Sequence, residues 1–125
     1  PSLLEEGYKV TVLDALAHGQ YPLLEYCLNT NFDFVKGDIC DELLMASLIS
    51  KHDVIIPLAA IVGTPACKTN PLLTKLVNYD AQMMLIRKIS QSQRIIFPTT
   101  NSGYGIGEKD NFCTEESPLK PLSDY

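Results

Sequence analysis

Short polar side chains follow several apolar runs in this sequence. Asp14 closes YKVTVLD, Asp38 closes FDFVKGD, and TTNS (99–102) follows RIIFP. A carboxylate at Asp14 could accept hydrogen bonds from both hydroxyls of a ribose, and one at Asp38 could accept from an adenine amino group while Ile39 packs on the ring. A solvated Asp at a strand end, or a turn residue before a helix, would look the same. The residues alone leave both readings open.

Small residues and glycines mark two further segments. The run PLAAIVG ends in Ala59, Ala60 and Gly63, which would let a flat cofactor lie against the backbone, although close packing also explains them. The segment GYGIG (103–107) resembles a dinucleotide loop. The residues after it, EKDNFCTEESP, have no apolar period. Because a phosphate cradle must lead into a helix N-terminus, we reject GYGIG for that role.

The elements that must position these residues alternate regularly along the chain. SLLEEG predicts the last turn of a helix closed by Gly7, and a short helix is expected near 23–28. A helix capped by Asp41 and a long helix from about 71 to 92 are predicted from apolar spacing. The predicted strands are 8–14, FDFVKGD from Phe32, 53–60 and 94–98. Thr64 and Pro65 are expected to begin a loop.

Strands separated by helices predict an α/β fold, a Rossmann-like parallel sheet with helices on both faces. Such a fold should open with a strand, a glycine-rich turn and a helix, whereas this sequence opens inside a helix. We therefore expect residues 1–125 to be a partial nucleotide-binding domain that is incomplete at both ends. The polar segment from Gly105 to Tyr125 is expected to be one long loop, and a loop of that length is usually either functional or disordered.

Composition narrows the class of protein. The chain has 125 residues, 46% of them hydrophobic, and a net charge of −5. No cluster of Lys and Arg is dense enough to follow a phosphate backbone, so we expect no nucleic acid partner. No apolar run reaches the roughly 20 residues of a membrane span, and no signal peptide opens the sequence. We expect a cytoplasmic protein with free thiols and no metal site, because the cysteines and histidines lack ligand spacing.

Taken together, the motifs resemble those of the extended short-chain dehydrogenase/reductase family, the NAD-dependent nucleotide-sugar epimerases and dehydratases. VTVLD resembles the family's second-strand acid, GDICD its adenine-contacting Asp, and PLAA its H-L-A-A strand end. VNYDA resembles its x-N-x-x-[GA] helix segment, and TTNSGYG its S-S-x-x-V-Y-G. The resemblance covers essentially the whole chain.

The resemblance implies a role for each matching residue. Asp14 would bind the adenosine ribose of NAD, and Asp38 and Ile39 would hold adenine. The remaining cofactor contacts would come from Leu58, Ala59, Ala60, Asn78 and Tyr125, with Asn78 steadying the strand ends. Thr100 and Tyr125 would be the catalytic pair, Tyr125 matching Tyr-x-x-x-Lys with a lysine four residues beyond position 125. Thr100, Asn101 and Ser102 would contact the substrate.

The activity so implied is oxidation or epimerisation at C4 of a GDP- or UDP-linked sugar. The 4,6-dehydratases of the family have the motif T-D-E at this place, and this sequence has Asn101 and Ser102 where they have the Asp and Glu. The lack of that acid pair disfavours dehydration. NSGYGIGEKD resembles the branch that acts on GDP-heptoses in surface-polysaccharide biosynthesis. The resemblance also implies a homodimer. We expect the full-length protein to be active and the 125 residues alone to be inactive. The alternative hypothesis is a regulatory or scaffold protein of the same fold that binds NAD or a sugar nucleotide without turnover.

Overall fold

The first helix, α1 (Ser2–Glu5), ends in a Schellman motif. In the computed structural model, which describes residues 1–19, 21–106 and 112–122, Gly7 has φ +82°. Its N–H donates to Leu4 O at 3.1 Å, and the N–H of Tyr8 donates to Leu3 O at 3.0 Å. A positive φ is most accessible to glycine, so Gly7 ends the helix as predicted.

The strands form two parallel pairs. Strand β1 (Val10–Asp14) pairs with β2 (Phe32–Lys36), in the register Val10 to Phe32 and Asp14 to Lys36. Strand β3 (Val54–Ile55) pairs with β4 (Arg94–Ile95). Within the described residues no ladder joins the two pairs. A side-chain hydrogen bond links them, because His52 Nε2, just before β3, lies 2.8 Å from Thr11 Oγ1 of β1.

Strands β3 and β4 are shorter than the sequence predicts. Their ladder ends with the bond from Ile96 N to Ile55 O at 2.9 Å. Pro57 and Pro98 come within three residues of the strand ends and have no N–H to continue it. The rest of the predicted third strand, 56–60, is therefore not laddered, and Ala59 O accepts a hydrogen bond from the side chain of Gln82 in a later helix.

The helical segments agree with the sequence in position but differ in detail. A 3₁₀ turn covers Leu24–Tyr26 and another covers Asn101–Tyr104. Helix α2 (Glu42–Ile49) begins where predicted, with Asp41 Oδ1 accepting from the N–H groups of Leu43 and Leu44 at 3.0 Å. The segment expected to be a loop forms α3 (Thr64–Thr69), in whose first turn Pro65 needs no N–H partner.

The predicted long helix consists of three pieces. These are α4 (Pro71–Lys75), a π-helical turn (Leu76–Asp80) and α5 (Ala81–Lys88). Lys75 Nζ lies 2.7 Å from both carboxylate oxygens of Asp80 and so spans the π turn. Helix α5 ends at Lys88, short of position 92, because Ile89 is extended with ψ 135°.

The core lies between α2, α5 and one face of both strand pairs. Met45, Ile49 and Leu85 are its buried centre, and Leu13, Ile55 and Ile95 pack against it from the strands. On the opposite face, Tyr26 of the first 3₁₀ turn meets the ring of Phe32 edge to face at 6.0 Å. Helical segments thus lie on both faces of the strands, which confirms the predicted α/β class. No helix in the described part of the chain is long and apolar enough to cross a membrane.

Candidate functional site

The two candidate cofactor carboxylates lie at one edge of the β1–β2 pair. Asp14 is the last residue of β1 and stands in register with Lys36 at the end of β2. The next residue, Gly37, donates its N–H to Asp14 O at 3.1 Å. Asp38 comes directly after it, so parallel pairing brings Asp14 and Asp38 to the same carboxyl end of the strands. Open α/β sheets bind ligands at that edge.

Asp14 also shapes the turn after β1. Its Oδ1 accepts the N–H of Leu16 at 2.6 Å, and Leu16 has φ +55°. A positive φ is uncommon for a non-glycine residue and is sustained here by that bond. Oδ2 has no hydrogen-bond partner among the described residues, and the side chain is exposed. Asp14 therefore keeps acceptor capacity for a ligand hydroxyl.

A small apolar cavity of about 80 Å³ adjoins Asp14. Phe34 of β2 contributes to its lining, together with the loop after β1 and the first 3₁₀ turn. The loop and turn supply Leu16, Tyr21, Pro22, Leu23, Leu24 and Cys27. A carboxylate beside an apolar cavity suits a ligand that combines hydroxyl groups with a hydrophobic surface.

Asp38 and its neighbours are organised by local hydrogen bonds. Asp38 Oδ1 accepts the N–H of Cys40 at 2.8 Å, and Asp38 O accepts the N–H of Asp41 at 3.1 Å. Burial, followed by the hydrogen bond and charge of Asp38, raises the pKa of Cys40 to about 11. Ile39 is half-buried and packs against the Met45–Ile49–Leu85 core, so part of its side chain serves the core.

The segment that follows β3 is exposed, and a side chain of the π turn binds its backbone. Leu58, Ala59 and Ala60 all face solvent. Asn78, in the π turn, binds the backbone beyond them: its Oδ1 accepts from Ile61 N at 2.7 Å and its Nδ2 donates to Ile61 O at 2.9 Å. Asn78 thus holds the backbone just beyond the strand end.

Gln82 is a residue that sequence reasoning missed. It is buried, and its Nε2 donates long hydrogen bonds to Ala59 O at 3.3 Å and Val77 O at 3.4 Å. Its Oε1 is buried without a hydrogen-bond partner in the described part of the chain. The signal available in the sequence was the four-residue step from Asn78, which places two amides on one side of a helix.

Thr100 caps the 3₁₀ turn after β4. Its Oγ1 accepts the N–H of Ser102 at 3.3 Å and lies 3.1 Å from Ser102 Oγ. Asn101 and Ser102 are exposed, and Thr100 is half-buried. These three polar residues therefore remain together at the end of β4. Tyr125, the predicted catalytic partner of Thr100, lies outside the described residues.

The C-terminal part of the chain returns to this loop. Lys120 N–H donates to Gly103 O at 2.8 Å, three residues beyond Thr100. Tyr125 is five residues after Lys120, at most ~18 Å of chain. In the ranges that the structure covers, no group of three or more His, Cys, Asp or Glu side chains could hold a metal ion.

The parallel strands, the helices on both faces and the polar residues at the strand ends define a Rossmann-like nucleotide-binding fold. The sequence profile of the NAD dependent epimerase/dehydratase family matches residues 1–125. The chain therefore belongs to this family, whose cofactor is NAD. The predicted family, fold class and cofactor are confirmed.

Individual relatives agree with this assignment. The chain is 36% identical over 93 residues to the bifunctional polymyxin resistance protein ArnA of Wigglesworthia glossinidia brevipalpis. That match covers 73% of the chain and 14% of the relative. Among solved structures, the dTDP-glucose 4,6-dehydratase DesIV of Streptomyces venezuelae, a double mutant with NAD bound, is 27% identical with a TM-score of 0.86. The match spans 99% of this chain and 41% of the dehydratase.

The UDP-glucose 4-epimerase of Thermotoga maritima, solved with UDP-glucose, is 28% identical with a TM-score of 0.80. The match spans 99% of this chain and 40% of the epimerase. Both a dehydratase and an epimerase are therefore similar to this chain over nearly all of it.

Proposed function

We propose that this chain is the cofactor-binding part of an NAD-dependent oxidoreductase or epimerase that acts at C4 of a nucleotide-activated sugar. The observation that carries the proposal is the hydrogen bond from Lys120 N to Gly103 O, at 2.8 Å. It returns the chain to the loop of Thr100 only five residues before Tyr125. The proposed catalytic pair can therefore meet although its members are 25 positions apart.

The cofactor fits the residues at the strand ends. Asp14 has a carboxylate oxygen that no described residue engages, and Leu58 and Ala59 expose a small apolar surface. We assign the ribose of NAD to Asp14 and its adenine to Asp38 and Ile39. The segment 58–60, next to the backbone that Asn78 holds, would provide further contacts to NAD. When bound, NAD supplies the acceptor for a hydride.

The protein's part of the reaction is proton transfer. A tyrosine has an ordinary pKa near 10, so Tyr125 needs nearby positive charge to act as a base near pH 7. Its phenolate would take the proton from the C4 hydroxyl, while the hydroxyl of Thr100 donates a hydrogen bond to the same oxygen. Asn101 and Ser102 would contact the sugar. The absence of an Asp-Glu pair after Thr100 favours C4 oxidation or epimerisation over elimination of water.

The proposed substrate is a GDP- or UDP-linked sugar used in surface-polysaccharide biosynthesis. UDP-glucose is bound by the similar Thermotoga maritima epimerase. The GDP option is supported only by the resemblance of the NSGYGIGEKD loop. Free cysteines, including the exposed Cys27 and Cys113, fit the reducing cytoplasm that we propose as the site of action.

We further propose a homodimer formed through the exposed side of the continuous helical segment made of α4, the π turn and α5. Apolar side chains there are exposed: Leu72 by 83%, Leu76 by 45%, Tyr79 by 58% and Ile86 by 50%. A row of exposed apolar residues on one helix is typical of a protein interface. The change Leu72→Glu should shift the mass measured by analytical ultracentrifugation toward the monomer. The equally exposed Leu43 of α2 provides the control Leu43→Glu, which should leave the mass unchanged.

The catalytic proposal is tested in the natural full-length protein with Tyr125→Phe. Turnover of a panel of GDP- and UDP-sugars should be lost, whereas NAD should still bind in calorimetry. Tyr8→Phe, at an exposed tyrosine before β1, is the matched control and should retain full activity. Full activity of Tyr125→Phe would contradict the proposal. A wild-type protein that binds NAD but turns over none of the sugars would instead support a binding or scaffold role.

A further inference from the structure

Gly105 lies in direct contact with the backbone of Lys120. A Cβ atom built on Gly105 would overlap the carbonyl oxygen of Lys120 and lie 3.4 Å from Lys120 Cβ. The overlap is with backbone, which cannot rotate away as a side-chain end would. Position 105 therefore has room for Lys120 only because it carries no side chain.

The conformation of Gly105 imposes a second requirement. Its φ is +74° and its ψ is −141°, at the end of the Asn101–Tyr104 turn. That combination is practically restricted to glycine. Its N–H donates to Ser102 O at 3.1 Å, which fixes the turn that Thr100 caps. Gly105 thus connects the turn containing Thr100 to the incoming segment.

One hydrogen bond completes the contact. Lys120 N–H donates to Gly103 O at 2.8 Å, while the carbonyl of Lys120 faces Gly105. At Gly103 an added Cβ would meet Leu119 Cδ2 only at 3.5 Å, an ordinary van der Waals distance. The two neighbouring glycines therefore differ: Gly105 is required by the close approach, whereas Gly103 contributes its carbonyl.

We infer that Gly105 is a positioning residue for the reaction, acting through Lys120. By admitting the Lys120 backbone, it sets the separation between Thr100 and the chain that leads to Tyr125. This inference rests on the proposed function, in which Thr100 and Tyr125 act on one oxygen. A displacement of about 1 Å between reacting groups can reduce a rate by about 100-fold. The expected defect is therefore in the catalytic step and not in the binding of NAD.

The test is Gly105→Ala in the natural full-length protein. We expect the protection of the Lys120 amide against hydrogen exchange, measured by NMR, to be lost. We expect kcat to fall by about 100-fold, while the Kd for NAD is unchanged. Wild-type kcat, or retained protection at Lys120, would overturn the inference.

Two glycine variants separate the contributions. Gly7 has φ +82° but open space around its Cβ position, so Gly7→Ala reports backbone strain alone. It should lower the melting temperature and leave kcat unchanged. Gly103→Ala adds a methyl group without a close contact and should keep the Lys120 amide protected.

If Gly105→Ala does not fold, Lys120→Pro removes the N–H donor and leaves Gly105 intact. It should reproduce the loss of kcat at unchanged NAD affinity, and normal kcat would overturn the inference. Failure of the proposed function is distinguishable from failure of this inference. The former appears as full activity of Tyr125→Phe, whereas amide exchange at Lys120 reports the Gly105 contact without any turnover.

Discussion

Asn78 holds both backbone polar groups of Ile61 with a single side-chain amide. Its Oδ1 accepts the Ile61 N–H at 2.7 Å, and its Nδ2 donates to the Ile61 carbonyl at 2.9 Å. The segment around Ile61 has left its strand ladder, so these two bonds replace the pairing that a longer β3 would have provided. A residue of the helical segment thus fixes the strand end proposed to line the cofactor.

Replacing Asn78 by Asp should destabilise the protein and weaken NAD binding. Asn78→Asp keeps the acceptor for the Ile61 N–H but places a carboxylate oxygen against the Ile61 carbonyl. Leaving a partly buried carbonyl without its donor costs up to about 1–3 kcal/mol. Chemical denaturation and calorimetry with NAD measure the two effects. Asn29→Asp is the control, since Asn29 Oδ1 accepts from Asn31 N at an exposed turn. An equal loss of stability in both variants would contradict the specific role of Asn78.

Gln82→Glu should give a stability that falls as pH rises. The introduced carboxyl would be buried beside the carbonyls of Ala59 and Val77, which disfavour its charged form and raise its pKa above the unfolded value near 4.3. A folded-state pKa above the unfolded one means that stability declines once pH exceeds the unfolded value. We expect a decline that sets in above about pH 4.3, measured by urea denaturation. The exposed control Gln91→Glu should show no such slope.

The elements that obey local rules could be predicted from the sequence. Asp41 caps α2 and Gly7 ends α1 because each acts on backbone groups within five residues. The strand-end positions of Asp14 and Asp38 were likewise predictable, since they depend on where β1 and β2 end. Local backbone chemistry was sufficient for these features.

Contacts between distant residues could not be predicted in the same way. Asn78 binds Ile61 across 17 residues, and Gln82 reaches Ala59 across 23. No local periodicity encodes which carbonyl an amide will meet. Helix α3 was missed because Thr64 and Pro65 fit both a loop and a first helical turn. The close approach of the Lys120 backbone to Gly105 is a tertiary contact, and the motif GYGIG alone does not predict it.

Asp14→Asn should separate the ligand role of Asp14 from its role in the loop. The amide oxygen can still accept the Leu16 N–H, which Asp14 Oδ1 accepts at 2.6 Å, so the turn should survive. Loss of the charged acceptor should weaken NAD binding about 10- to 100-fold, as expected for one or two hydrogen bonds to a charged group. Asp14→Ala should weaken binding similarly and also lower the melting temperature, because Leu16 loses its partner. Unchanged NAD affinity of Asp14→Asn in calorimetry would contradict the ribose assignment.

Cys40 should react slowly with iodoacetamide, and NAD should slow it further. Its pKa of about 11 leaves roughly one thiol in a thousand as the reactive thiolate at pH 8. The alkylation rate, measured by mass spectrometry, should rise about tenfold per pH unit until it levels off near pH 11. Asp38→Asn should lower the pKa of Cys40, and with it the pH at which the rate levels off, because it removes the neighbouring charge. The larger cause of the raised pKa, burial, remains. Levelling off near pH 8 would contradict the raised pKa of Cys40.

The NAD effect on Cys40 tests the adenine assignment independently of turnover. If adenine lies against Asp38 and Ile39, saturating NAD should cover the thiol two residues from Asp38 and reduce its alkylation rate. Cys113 is exposed on the C-terminal segment and provides the internal control, whose rate should not depend on NAD. Protection of Cys40 alone would place the cofactor at the end of β2. Equal rates with and without NAD, in a sample that calorimetry shows to be saturated, would move adenine away from Asp38.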